Sequence, residues 1–265
     1  MTNSIKVIEK NKIDSICTKY GIENYKINLD GSIDVNGSVD LAQYSLSEIP
    51  LKFNNVSGDF YCCDNNLTTL VGAPTTVGGN FNCGHNILSN LEGAPHTVGG
   101  DCFMTHCSLT SLFGGPKEVI GGYIVSNNHL TTLEGAPDSC HLFSCDRNLL
   151  SSLIGAPSRI TEFFSCEHNH LLDLVGVPLF IGGDLYISDN SNMTSLHSGD
   201  VDIELMPFKE LICTGTKLPR SIRLNMIHIH LILKYQRYFM IWDANYTLNV
   251  NNFNDLITEI NDGLE

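Results

Sequence analysis

Pro74, Pro95, Pro116, Pro137, Pro157 and Pro178 follow one another at a nearly constant interval, and the step from Pro137 to Pro157 is a single residue shorter than the others. A period of about 21 residues, held over five successive steps of chain, constrains the fold more than any composition can, because it marks units that stack on one another. Between the prolines runs one pattern, F-x-C-x-x-N-x-L-x-x-L-x-G-A-P-x-x-V-G-G-x. Phe60, Cys62, Asn65, Leu67 and Leu70 make one clear copy, and those beginning at Phe81, Phe143 and Phe164 repeat it. Copies beginning at Cys102 and Tyr123 keep the spacing with substitutions. Degraded copies beginning at Val39, Leu185 and Leu211 bring the total to nine.

Each unit has a strand-like period of two. Phe81 and Cys83 fall on one face of a short strand and Asn82 on the other. No single unit can bury its own apolar side, so the copies must stack as a solenoid. The segment E-G-A-P-x-x-V-G-G is too short and too rich in Gly and Pro for a helix, so the return side is expected to be extended or a single 3₁₀ turn. The glycine pair of V-G-G is expected to supply a positive φ or close packing at a tight corner. The asparagine typified by Asn86 is expected to turn inward and bond backbone groups at the strand exit and in the next coil. With parallel strands about 4.8 Å apart, nine coils predict a stack on the order of 40 Å long.

The pattern resembles the leucine-rich-repeat family, whose signature is L-x-x-L-x-L-x-x-N/C-x-L. Phe81 and Cys83 fill the two central leucine positions and Asn86 the ladder position, while Cys107 takes the cysteine option. The resemblance covers roughly residues 38 to 220. The wording L-T-S/T-L-E-G-A-P with V-G-G is similar to the short repeats in proteins of bacteriophages and large DNA viruses. The resemblance implies a mainly β leucine-rich-repeat solenoid of about nine short coils, with its exposed strand face as the binding surface.

The ends depart from the repeat, as solenoid caps must. Ile5, Ile8, Ile13, Ile16 and Tyr20 recur at near-helical spacing and Gly21 follows, which predicts an N-terminal helix. Ile27/Leu29, Ile33/Val35 and Val39/Leu41 then alternate around Asp30-Gly31 and Asn36-Gly37, both read as hairpin turns. Near the C-terminus Phe253, Leu256, Ile257 and Ile260 share one helical face. The organisation expected is a helix and hairpin cap over 1–37, the solenoid over 38–220, and an α-containing cap over 221–265.

Composition narrows the function. The formal net charge is -14, which argues against binding a phosphate backbone and permits a basic protein partner or mimicry of nucleic acid. From Asn54 to Asp200 the basic residues are Lys117, Arg147 and Arg159 against fourteen acidic ones. From Lys209 to Arg237 the balance reverses, and Tyr235, Tyr238, Phe239 and Trp242 lie in or near that basic segment. It reads as a cap in preference to a second contact site. The first residues carry no apolar h-region, and no apolar run approaches the roughly 20 residues of a bilayer span. Of the ten cysteines, most fall at one repeat position, so they are expected to be reduced core residues in a cytosol.

The repeat register names the candidate partner-binding residues. Tyr61, Asn82, Phe103, Ile124 and Tyr186 stand between the two inward strand positions, and Phe163 precedes one of them. Aromatic side chains on an exposed face are what interface hot spots tend to use. Phe163 and Leu142 have a second explanation, a local register change, because the unit there is one residue short. A further column follows the strands: Asp64, His85, His106, Asn127, Arg147, His168 and Asp189. His85 and His106 fall one coil apart and join the partner-binding set. A metal between them is disfavoured because tetrahedral sites want three or four ligands. Cys140 beside His141 has no orienting carboxylate or oxyanion hole at a recognisable offset. The repeated V-G-G lacks the Lys-Ser/Thr of a phosphate loop.

These readings converge on a protein-protein binding module without catalytic residues, cofactor, metal, nucleic acid or membrane. The expectation is a virus-encoded accessory protein in the host cytoplasm, engaging a host protein such as a defence factor. The alternatives are a virion structural or receptor-contacting component, and an enzyme or substrate-recognition subunit.

Overall fold

The computed structural model describes residues 3–199 and 209–264. Among these residues, nine two-residue strands form one parallel front sheet. They run from Val39–Asp40 through Phe60–Tyr61, Phe81–Asn82, Cys102–Phe103, Tyr123–Ile124, Phe143–Ser144, Phe164–Ser165 and Leu185–Tyr186 to Leu211–Ile212. Seven complete turns connect the first eight strands. The path into the last runs through residues 200–208, which lie outside the described residues.

The return side is extended, as its Gly and Pro content requires, and it forms sheets of its own. Ile33–Val35, Phe53–Val56, Thr76–Val77, Thr97–Val98 and Glu118–Val119 pair in parallel, and Ser139–Cys140, Arg159–Ile160 and Phe180–Ile181 form a separate trio. The shortened unit explains the gap. The chain from Ser139 to Phe143 is one residue shorter than its counterpart from Glu118 to Tyr123. The missing residue breaks back-sheet pairing at this corner, while the front register continues unbroken through Tyr123↔Phe143 and Phe143↔Phe164. Phe163 and Leu142 therefore face outward without any register change.

Between the sheets lies one continuous apolar core to which both contribute, as where Phe53 of the back sheet meets Phe60 of the front edge-on with ring centroids 5.1 Å apart. Phe60 and Phe81 stack with ring centroids 6.1 Å apart, Phe143 and Phe164 with theirs 5.4 Å apart. Leu67, Leu70, Leu88, Leu91 and their counterparts are fully buried, each burial being worth about 1.5–3 kcal/mol.

The asparagines are buried and turned inward, and the coil they reach is the preceding one. Asn148 Nδ2 donates to Cys145 O of its own coil at 3.0 Å and to Val125 O one coil back at 3.1 Å. Its Oδ1 accepts from Leu130 N at 3.0 Å. Such a carboxamide satisfies backbone groups that the strand exit would otherwise leave buried and unpaired. Asn65, Asn86, Asn128, Asn169 and Asn190 repeat the arrangement. Cys107 substitutes through its thiol, which donates to Cys83 O at 3.2 Å.

The V-G-G glycines turn out to serve close packing. A Cβ on Gly99 would collide with Gly78 O of the neighbouring coil. Positive φ falls instead on the glycine of G-A-P, as at Gly93 with φ +89.

At the N-terminal end α1 (Asn3–Lys19) buries Ile13, Cys17 and, just past its end, Tyr20 against the first coil. The side chains of Ile5 and Ile8 lie outside the described residues. The Asp30-Gly31 turn closes the expected hairpin between Tyr25–Ile27 and Ile33–Val35. Asn36-Gly37 does not close a second one. Ile33–Val35 pairs in parallel with Phe53–Val56 in the back sheet, and Val39–Asp40 pairs with Phe60–Tyr61 in the front. Asn36-Gly37 is therefore the first corner of the solenoid, because stacking on the next coil offers both strands a larger apolar neighbour than each other.

At the other end come α2 (Arg220–Leu224), α3 (Ile229–Tyr235) and α4 (Val250–Asn261). Phe253, Leu256 and Ile260 of α4 are buried, and Asn249 caps it by accepting from Asn252 N at 3.2 Å. Among the described residues no helix is long and apolar enough to cross a membrane.

Candidate functional site

The front sheet positions the outward strand residues that the repeat register singled out. Phe60 and Cys62 point inward, leaving Tyr61 outward, and the same alternation sets Asn82, Phe103, Ile124 and Tyr186 on one outer face. These side chains are half-buried, more covered than expected. Strands about 4.8 Å apart make each outward side chain pack on the ones above and below it.

Some face residues are occupied locally. Asn82 Oδ1 accepts from Gly84 N at 2.9 Å and so locks its own turn. Upstream of the strands, Asp59, Asn80 and Asp101 form a ladder, each accepting from the backbone N–H of the next coil at 2.7, 2.8 and 2.7 Å. The next three positions in that column are Gly122, Leu142 and Phe163, which have no side-chain oxygen to offer.

Where this ladder stops, the face opens into a hollow of about 420 Å³. Its floor is Ser144 and Ser165, paired side by side in register. Ile124 beneath and Tyr186 above are their neighbours in the same column. Two small side chains between two large ones create the depression. Leu142 and Phe163 wall it upstream, and Phe163 meets Tyr186 edge-on with ring centroids 6.0 Å apart. Downstream stand two half-buried carboxylates, Asp146 and Glu167.

The polar groups of the hollow form a directed network. Ser165 Oγ donates to Asp146 Oδ1 at 2.6 Å, and Glu167 N donates to the same oxygen at 2.8 Å. Ser144 Oγ donates to Asp146 Oδ2 at 2.9 Å. Ser144 and Ser126 hydroxyls lie 2.7 Å apart. Because Ser144 has already given its one proton to Asp146, Ser126 must be the donor there. Tyr186 Oη donates to Asp184 at 3.2 Å. The Glu167 carboxylate makes no hydrogen bond or ion pair among the described residues.

Of the residues that the sequence set on the exposed strand face as partner-binding, Ile124, Phe163 and Tyr186 line this hollow; Ser144, Ser165, Asp146 and Glu167 were not among the site residues it named. The missed signal was two consecutive coils carrying apolar, Ser and acidic residues at matching offsets. Tyr61, Asn82 and Phe103 lie further down the same sheet, outside the hollow.

His85 and His106 lie off the sheet on a ridge at the strand exits. Every residue of that column, from Asp64 to Asp189, has φ between 53° and 58°, a left-handed corner that Asn, Asp and His tolerate better than most residues. The repeated corner aligns side chains one coil apart. His85 and His106 stack with centroids 4.5 Å apart and planes 8° apart. Further up, His168 Nε2 lies 3.3 Å from Arg147 Nη2 and 3.4 Å from Asp189 Oδ2. Among the described residues no three His, Cys, Asp or Glu side chains gather as metal ligands.

Cys140 and His141 diverge at the short back corner. Cys140 is buried, which pushes its thiol up to about 12. His141 faces outward and pairs with Thr161 Oγ1 at 2.9 Å and Glu162 Oε2 at 3.4 Å.

Compared with known proteins, the chain matches no family model, no curated protein and no solved structure.

Proposed function

We propose that this chain is a non-enzymatic binding module, a leucine-rich-repeat solenoid of the short type found in bacteriophages and large DNA viruses. It engages a host protein through the front sheet. The observation that carries the reading is the outward row of Tyr61, Phe103, Ile124, Phe163 and Tyr186. The core does not require these side chains, since Phe60, Cys102, Tyr123, Phe164 and Leu185 already fill the inward positions. Large apolar groups held on a rigid parallel sheet lose little conformational freedom on docking, which favours affinity.

Two further features support it. All ten cysteines are free, in keeping with a reducing host cytoplasm. The Cys140 thiol is held protonated behind the surface, away from His141, so this pair lacks an activated nucleophile.

The test is an affinity pull-down from bacterial lysate with wild type and a Tyr61→Ser, Phe103→Ser, Tyr186→Ser variant. A host protein retained by the wild type and lost by the folded variant supports the reading. Equal capture by both would sink the front-face assignment, and the chain's presence in purified virions with no captured host protein would favour a structural role.

A further inference from the structure

We propose that the hollow over Ser144 and Ser165 receives a single long cationic side chain, arginine or lysine, from a segment of a protein partner. The inference rests on the front-face reading and adds the chemistry of the guest.

The argument is an accounting of donors. A group entering the hollow meets Ser144, Ser165 and Tyr186, whose hydroxyl protons are all directed to Asp146 or Asp184. It also meets Glu167, which can only accept. Among the described residues the lining therefore offers acceptors and no free side-chain donor. A neutral amide, a sugar or an alcohol brings acceptors of its own, and desolvating those without partners costs about 1–3 kcal/mol each. A guanidinium or ammonium brings donors alone.

Charge points the same way. Asp146 has three donors around it, and neither Asp146 nor Glu167 forms an ion pair among the described residues. Arg147, next in sequence to Asp146, does not line the hollow but stands on the exit ridge, directed to His168 at 3.3 Å. Around this face the chain from Asn54 to Asp200 is strongly acidic. The remaining wall fits the stem of such a side chain. Leu142 and Phe163 face the carboxylates across the serine floor, so methylene groups can lie on apolar surface while the charged head reaches Glu167. The Phe163 and Tyr186 rings add the aromatic contact that a guanidinium favours.

The experiment is selection of a random dodecapeptide display library on the whole protein. Selected peptides are then synthesised, and their affinities measured by fluorescence anisotropy. The expected result is a recurrent Arg or Lys whose replacement by citrulline or norleucine weakens binding at least tenfold. Glu167→Gln and Phe163→Ser should each weaken binding to a similar degree. Glu134→Gln, an exposed carboxylate away from the hollow, should leave it unchanged and so separate the local effect from net charge. Peptides that need Tyr61 and Phe103 but no base would overturn the cationic guest and leave the front-face reading standing. Peptides indifferent to every front-face variant, or a selection that yields none, would overturn both.

Discussion

Gly115 lies under the buried hydroxyl of Tyr123, so that a Cβ on the glycine would stand 3.0 Å from the phenolic oxygen. Equivalent positions in other coils carry Ala73, Ala94, Ala136 and Ala156 beside a Phe or smaller residue in the Tyr123 column. The hydroxyl has no hydrogen-bond partner among the described residues. Tyr123→Phe should therefore raise stability by about 1 kcal/mol, read as a higher urea midpoint at constant slope. Gly115→Ala alone should lower the midpoint, and less so in the Phe background, which gives a coupling measurable by a double-mutant cycle. A Phe variant less stable than the wild type would show that the hydroxyl is satisfied in solution.

Core leucines and ladder asparagines stabilise the stack in different ways, and their replacements should differ accordingly. Leu91→Ala opens a cavity at a fully buried position and should cost about 2–5 kcal/mol. Asn148→Leu adds apolar volume but strands Leu130 N, while Val125 O and Cys145 O each lose one of two carboxamide donors and keep those of Asn128 and Asn169. A backbone N–H left buried and unpaired costs about 1–3 kcal/mol, so this variant should lose stability despite its added apolar volume, by no more than Leu91→Ala. Guanidinium titrations of the two would settle the order; a near-zero loss for Asn148→Leu would count against the ladder.

Burial pushes the thiols of Cys62, Cys102, Cys145 and Cys166 well above their ordinary range and Cys140 to about 12. A raised folded-state value means that the native protein keeps its protons while the unfolded chain loses them above about pH 8.5–9. Stability from these groups is thus fully present at neutral pH and declines as pH rises past about 9, by about 1.4 kcal/mol per unit for each thiol. The melting temperature should fall between about pH 8.5 and 10.5, with a shallower slope in Cys145→Ala after allowance for its lower starting point. In the native state the half-buried Cys63 and Cys213 should react with a thiol reagent well before the rest. Rapid labelling of all ten would show that the coils open locally.

The caps and the hollow show where sequence reasoning succeeds and where it stops. The α4 face of Phe253, Leu256 and Ile260 was legible because helical periodicity is local. Asn36-Gly37 misled because the same dipeptide that closes a hairpin can turn a solenoid corner. What the strands on either side pair with decides between them, and that partner lies one whole coil further along the chain. The candidate face was legible as a column of outward residues, yet its depression was not, since the depression depends on the relative sizes of neighbours in four adjacent coils.

What the sequence by itself determined is everything that repeats: the period, the inward Phe, Cys and Leu, the asparagine ladder and the parallel stack. A pattern recurring at one short, nearly constant period can bury its apolar face only against its own copies, so the period dictates the neighbours. What only the tertiary structure decided is what breaks the repeat. The one-residue loss between Ser139 and Phe143 is absorbed at the back corner and leaves the front register intact. The serine protons turn toward Asp146, and Glu167 is left without a partner among the described residues. These outcomes depend on lateral contacts between coils, where the chain supplies each residue with a neighbour by stacking and not by order along the backbone.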